Sequence, residues 1–294
     1  MMGRLLPAQE GVLAEQLSAD AGFFCRAGRL LEKGRSEWQD YEVWDTPAFG
    51  RLFRLDGCFM TSERDEFFYH ENLIHVPGMA HAGLRKALIV GGGDGGSAEE
   101  LLKYPGIERI VIAELDEKVV EISRRYLDAV HHGSLDDPRV DIRIGDGMQY
   151  VMSDGPAAGE RYDLIVLDLT DPVGPAKALY SEAFFRACGG LLADGGALSL
   201  HIGPPIFQPE RVRELVQRLR RVFRFVRPYF LYVPLYGSLW GLATASNQLD
   251  PCALGADEIE RRLAERRIAR LQHYNGAVHC AQFALPNHLR ALLA

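Results

Sequence analysis

The spacing of apolar residues changes period near residue 85. Before it, the stretch QDYEVWDTPAFGRLFRLDGCFMTSERDEFF (39–68) alternates apolar and polar positions between the turn signals Thr46-Pro47 and Asp56-Gly57. That pattern predicts a small antiparallel sheet. DEFFYHENLIHVPGMAHAG then carries helical spacing at Phe67, Leu73 and Ile74, with Glu71 and His75 expected on a polar side. After Arg85, short apolar runs alternate with helical segments. KALIVGG, RIVIAELD, VDIRIGD, YDLIVLDLTD and ALSLHIG read as strands. SAEELLKYP, with Ser97 as its expected N-cap, EKVVEISRRYL and YSEAFFRACGGLLADGG read as helices between them. Residues 208–227, QPERVRELVQRLRRVFRFVR, are expected to form one amphipathic helix with Val212, Leu215, Leu219 and Val222 on its apolar face. Repeated strand–helix units with near-continuous apolar strands imply an α/β fold with a doubly wound parallel sheet. The expected division is a small antiparallel β-domain over 1–75 and a Rossmann-like domain over 76–294.

Charge and cysteine content narrow the function classes. The chain has 33 basic and 40 acidic residues, a net charge of −7, which argues against nucleic acid and permits a cationic partner. The arginines of 208–227 are expected to face solvent on an outer helix. The N-terminal MMGRLLPAQEGVLAEQL holds Glu10 and Glu15 and has no continuous apolar core, so neither a signal peptide nor a membrane anchor is expected. The cysteines (Cys25, Cys58, Cys188, Cys252 and Cys280) show no CxxC or Cys/His ligand spacing. They are expected to be free thiols in a reducing cytoplasm, with no metal site.

In an open parallel sheet, ligands gather outside the carboxyl ends of the strands. Here those ends carry Asp94, Glu114 with Asp116, Asp146, and Asp168 with Asp171. The turn GGGDGG meets the GxGxxG spacing through Gly91, Gly93 and Gly96, and Glu114 follows Gly96 by 18 residues (114 − 96). A carboxylate there accepts from a ribose hydroxyl pair. Loop and acid together indicate an adenosine ligand but do not separate NAD from S-adenosyl compounds. Asp94 helps to separate them. A pyrophosphate against this turn meets a like charge, at a cost of about 4 kcal/mol for roughly 4 Å and an effective dielectric near 20. An ammonium or sulfonium ligand is favoured instead, and a free carboxylate on the ligand disfavoured; the alternative is that Asp94 merely caps the next helix. Asp146 with Gly147 can accept from an adenine amino group and leave room for the ring, or form a plain strand-to-helix turn. Asp168 and Asp171, three apart beside Pro172, Gly174 and Pro175, can hold a diamine. One acid would deprotonate the attacking amine and the other anchor its far end. Metal binding is the competing role for such a pair.

From Gln39 onward, LDG, TSERDEFFYHE, GGGDGG, ELDEKVVEISRRYL, DPRV, GDG, DP.GPA..LY and YNGAVHCAQFALP occur in an order that resembles the polyamine aminopropyltransferase (spermidine synthase) family. The resemblance implies a small N-terminal β-domain and a Rossmann-like domain of the class I methyltransferase type. It implies transfer of the aminopropyl group of decarboxylated S-adenosylmethionine to a polyamine, with putrescine to spermidine as the default and 5′-methylthioadenosine as the by-product. The donor is a co-substrate; no tightly bound cofactor is expected. By the same resemblance, Gln39, Gly91, Gly93, Glu114, Asp146, Gly147 and Pro175 contact the donor, Asp94 holds its amine, and Tyr69 and His70 line the channel. Asp168 is the catalytic base, aided by Tyr69, while Asp171 and Tyr236 bind the acceptor. A cytoplasmic homodimer or homotetramer is expected. Departures from the family pattern fall on the acceptor side: Leu169 within Asp168-Leu169-Thr170-Asp171, Met60 in place of glutamine, and LHIGPPIF at 200–207 in place of a more polar segment. Cadaverine, agmatine or spermidine therefore stay open as acceptors. So do an S-adenosylmethionine methyltransferase, an NAD(P) oxidoreductase and a non-catalytic polyamine-binding homologue.

Overall fold

The computed structural model describes residues 11–171 and 174–294, apart from the side chains at 174 and 175. The N-terminal alternation gives strands β1 (Val12–Gln16) and β2 (Gly22–Arg26), paired as a hairpin. Strands β3 (Arg29–Arg35), β4 (Asp40–Thr46), β5 (Gly50–Leu55) and β6 (Cys58–Ser62) form a separate antiparallel sheet in chain order. The Asp56-Gly57 turn joins β5 to β6 with both residues at positive φ (47° and 80°), as a two-residue type I′ hairpin requires. Val43, Phe53 and Leu55 bury against Val119, Ile122 and Leu127, so this sheet is clamped onto the larger one's helical layer.

Helix α1 (Glu66–Ala80) follows. The expected polar side of this helix does not exist: Glu71 is 1% exposed and His75 fully buried. Both are satisfied by distant partners, as buried polar groups require. Glu71 accepts the backbone N–H groups of Gln272, His273 and Tyr274 at 2.5, 2.8 and 2.7 Å. His75 sits between the Tyr104 hydroxyl at 2.9 Å and the Glu100 carboxylate at 2.8 Å. The division expected at residue 75 thus falls inside a helix enclosed on every side.

The large sheet contains β7 (Lys86–Gly91), β8 (Arg109–Glu114), β9 (Val140–Ile144), β10 (Tyr162–Asp168), β11 (Leu192–Gly203), β12 (Phe225–Val233) and β13 (Ser238–Ser246) in the order β12-β13-β11-β10-β7-β8-β9. The five strands from β11 to β9 in that order are parallel, and β13 and β12 complete the sheet as an antiparallel hairpin. Helices α2 (Gly96–Leu102), α3 (Glu117–Tyr126), α4 (Glu182–Leu191) and α5 (Pro209–Arg220) flank it.

Local structure departs from the sequence reading in three places. The helix expected over 208–227 stops at Arg220, and 225–233 becomes edge strand β12. Its tail buries Val226 and Phe230 on one face and Tyr229 and Leu231 on the other, and Pro228 cannot continue a helix yet is tolerated on a sheet edge. The helix expected through Gly196 ends at Leu191, after which the chain is already strand, with an irregular register between Tyr162 and Leu164. Ser97 does not cap α2, because left-handed Gly95 occupies that position.

The chain runs outward from β7 to β8 and β9, then returns to place β10 on the other side of β7. That reversal opens a crevice at the carboxyl ends of β7 and β10. Among the described residues no helix is long and apolar enough to cross a membrane.

Candidate active site

At the reversal point Gly91 pairs in register with Asp168, and the Gly92 N–H donates to the Asp168 carbonyl at 2.9 Å. Gly91 and Gly92 both have positive φ, and this lets the turn fold back across the end of β10. Asp94 then does two things at once. One carboxylate oxygen accepts the Gly96 N–H at 3.1 Å, the capping role, and the other faces His70 Nε2 at 3.5 Å. His70 comes from α1, where Glu66 one turn earlier binds its Nδ1 at 2.7 Å. Asp168 receives the Ser97 hydroxyl at 2.7 Å and lies 3.9 Å from His70 Nε2. His70, Asp94 and Asp168 therefore converge with ligand atoms within 4.8 Å of one another.

Their charges differ in kind. Burial alone would discharge His70, but the Asp94 carboxylate and then Glu66 outweigh it and hold the imidazole protonated well above its usual range. Burial would likewise raise Asp94, yet His70 and the Gly96 N–H bring it below the ordinary carboxylate range. Asp168 is pushed up to about 6 by burial and by the Asp94 charge, against the opposing pull of His70 and the Ser97 and Tyr69 hydroxyls. One acid is thus fixed as an anion while its neighbour exchanges a proton near neutrality. With Glu66 on one imidazole nitrogen and Asp94 and Asp168 near the other, the trio forms an ion-paired cluster.

Tyr69 (6% exposed) meets Tyr236 edge to face at 6.1 Å, and the Tyr236 hydroxyl donates to the Met60 carbonyl at 2.8 Å. Together with Asp65 and His70 these residues line a narrow cleft. Burial, followed for Tyr69 by the Asp168 charge and for Tyr236 by Asp65, holds both phenols well above their usual pKa. Both therefore stay protonated and able to donate hydrogen bonds.

Glu114 ends β8 with the Gly93 N–H at 3.1 Å and the Asp116 N–H at 3.0 Å on its two oxygens; burial still lifts it to about 7. Gln39 reaches over from the small sheet and donates to Asp116 at 2.9 Å, beside Ser36 at 2.6 Å. Asp146 accepts the Met148 N–H at 2.8 Å and so caps the next turn, with Gly147 against Val90. The Pro175 side chain lies outside the described residues.

The surroundings of Asp171 differ from expectation. Asp171 is not an open carboxylate: Arg211 of α5 binds it at 2.8 Å and holds it below the ordinary range despite burial. Beside it the Tyr180 hydroxyl donates to the Thr170 carbonyl at 3.1 Å and meets His201 Nε2 at 2.5 Å. Burial lowers His201 to about 4, and its ring stacks on Trp240. Glu15 on β1 accepts the Phe59 N–H at 2.5 Å; burial lifts it to about 7, and the Asp171 charge contributes. Arg211, Glu15, Glu66, Ser97 and Tyr180 were not singled out as site residues from the sequence. For Glu66 a signal existed, since its i, i+4 spacing to His70 places both on one helix face. For the others, no spacing in the chain brings them together.

Residues 66–252 match the model of the spermine/spermidine synthase domain family. A polyamine aminopropyltransferase from Nitrosomonas europaea is 48% identical over 285 residues, covering 97% of this chain and 86% of its own. Polyamine aminopropyltransferase 1 of Pseudomonas aeruginosa is 38% identical over 88% of this chain and 90% of its own. Among solved structures, a spermidine synthase in complex with the transition state analogue AdoDATO superposes with a TM-score of 0.88 at 34% identity, covering 99% of this chain and 97% of that one. Spermidine synthase from Thermotoga maritima gives 0.87 at 33% identity, covering 99% and 96%.

Proposed function

This chain belongs to the spermine/spermidine synthase family and is an enzyme of the polyamine aminopropyltransferase type; from that premise we propose that it transfers the aminopropyl group of decarboxylated S-adenosylmethionine to putrescine, forming spermidine and 5′-methylthioadenosine. The observation that carries this reading is the convergence of Asp94 and Asp168 on His70 Nε2 at 3.5 and 3.9 Å, where the imidazole holds Asp94 below the ordinary carboxylate range while Asp168 is lifted to about 6. An amine nucleophile is cationic at neutral pH and must lose a proton before it attacks. Asp168 takes that proton. The neutral amine then displaces the thioether from the carbon next to the sulfonium, and the electron pair of that bond leaves on sulfur.

The remaining residues orient the two substrates. Asp94 binds the donor's amine and repels a donor that carries a carboxylate. Glu114 accepts from the ribose hydroxyls with the oxygen lone pairs its backbone donors leave open. Gln39, Gly91, Gly93, Asp146, Gly147 and Pro175 surround the nucleoside, with Gln39 acting through Asp116. Tyr69 and Tyr236 form the acceptor's walls, and protonated His70 keeps Asp94 aligned. The N-terminal β-domain serves as the cover of the cleft. Most of the acceleration comes from holding two cations in line in a site closed to water.

Incubation with decarboxylated S-adenosylmethionine and a panel of amines, products weighed by mass spectrometry, tests this. Spermidine and methylthioadenosine in equal amounts are expected from putrescine. Failure to release methylthioadenosine with any amine sinks the reading.

A further inference from the structure

Ser97 stands on the first turn of α2, yet its hydroxyl does not cap that helix, because left-handed Gly95 holds the cap position. The side chain is fully buried and crosses instead to the end of β10, where it donates to Asp168 Oδ2 at 2.7 Å. His70 Nε2 approaches the same oxygen at 3.9 Å. Gly92 closes in from the turn after β7; a Cβ there would stand 3.2 Å from Asp168 Oδ2 and 2.5 Å from Ile89 Cγ2. Oδ2 is thus enclosed by α1, α2 and the glycine turn, while the Asp168 side chain as a whole keeps 11% of its surface exposed.

On the reading that Asp168 takes the acceptor's proton, we propose that Ser97 is a positioning residue: by holding Oδ2 it fixes the carboxylate so that Oδ1 receives that proton from the acceptor ammonium. A carboxylate turns about its Cβ–Cγ bond, and one gripped at a single oxygen presents the other in one direction. Proton transfer needs a short, aligned path, so fixing that oxygen contributes to rate through orientation. The hydroxyl also favours the anionic carboxylate, since an O–H donor bonds the charged form more strongly. It works alongside His70, against the burial and the Asp94 charge that lift this group. The other groups acting on Asp168 are phenols: Tyr69 of α1, Tyr180 after β10 and Tyr236 between β12 and β13, all protonated near neutrality.

The pH dependence of kcat/KM for the amine, at saturating decarboxylated S-adenosylmethionine, tests it. Loss of the hydroxyl removes a bond to the ionised form, so the base keeps its proton to higher pH. Ser97→Ala should move the acid limb, centred at about 6 in the parent, upward by about one pH unit. It should also lower kcat on the plateau about tenfold, with the donor Kd within about twofold of the parent value. Ser97→Thr keeps the hydroxyl and should restore both. If the Ser97→Ala limb coincides with the parent's, or the Ser97→Thr limb moves as far as the Ser97→Ala limb, Ser97 is packing only and the proposal is overturned. Lack of methylthioadenosine from the parent enzyme with any amine would instead overturn the proposed function.

Discussion

The two halves of the cleft are built by different means. The half proposed for the donor is a row of strand ends: Asp94 after β7, Glu114 at the end of β8 and Asp146 after β9, each held by a backbone N–H within a few residues or on the turn after the neighbouring strand. The half proposed for the acceptor is gathered from Glu15 on β1, Met60 on β6, Asp171 beyond β10, His201 on β11 and Arg211 on α5; Asp171 and His201 are held by side chains, Glu15 and Met60 through the backbone of β6. Backbone donors fixed by a sheet cannot change with a substitution, whereas side-chain partners change one at a time. The donor half is therefore suited to keep one ligand, and the acceptor half to vary its own.

The largest effect is expected where the halves meet. Asp168→Asn removes the base and should lower kcat about 10²- to 10⁴-fold while donor affinity stays within a fewfold, read by single-turnover kinetics and donor titration. Asp94→Asn tests whether the donor half is separable. It deletes a charge-assisted hydrogen bond worth about 1.5–3 kcal/mol, so the donor KM should rise roughly 10- to 100-fold with the acceptor KM little changed. An equal loss on both substrates would break the comparison. Acidification reaches the shared centre again: with Asp168 at about 6, kcat/KM should be flat above neutrality and fall as pH drops through 6. The same shift has a stability consequence. Because the folded state raises this carboxyl above its ordinary value, ionisation costs stability as pH rises through 6. Without substrate, Asp168→Asn should thus melt higher than the parent at pH 8, with the gain gone near pH 4. Met60→Gln should have the smallest effect, shifting amine preference a fewfold and leaving the donor KM unchanged.

This difference in construction also governs what could be read from the sequence. Each donor-side acid follows its own apolar run, so strand-end logic finds Asp94, Glu114, Asp146 and Asp168 from local pattern. Asp171 was equally visible, but its partner was not. Arg211 looks like one more arginine on an outer helix until the end of β11 turns beneath it. Glu15 reads as an unremarked surface acid because what buries it, the β5–β6 hairpin, lies forty residues away in the chain (59 − 15 = 44). The polar face assigned to α1 failed for the same reason. A buried Glu71 looks solvated until the chain near residue 273 is laid against it. Strand β12 was hidden by arginines that continue the helical spacing past Arg220, although 228–231 are buried on both faces of the sheet.

The grip of Glu71 on the N–H groups of 272–274 bears on how the enzyme is made. Tyr69 and His70 stand on the same helix, immediately before a buried carboxylate held by those three N–H groups. Until residues 272–274 are laid against it, that acid keeps its partners in water, and burying the helix would strip them away uncompensated. A prematurely terminated chain can contain every residue of the cleft and still lack the clasp that seats two of them. Docking of the 272–274 segment is in this sense the step that arms the site.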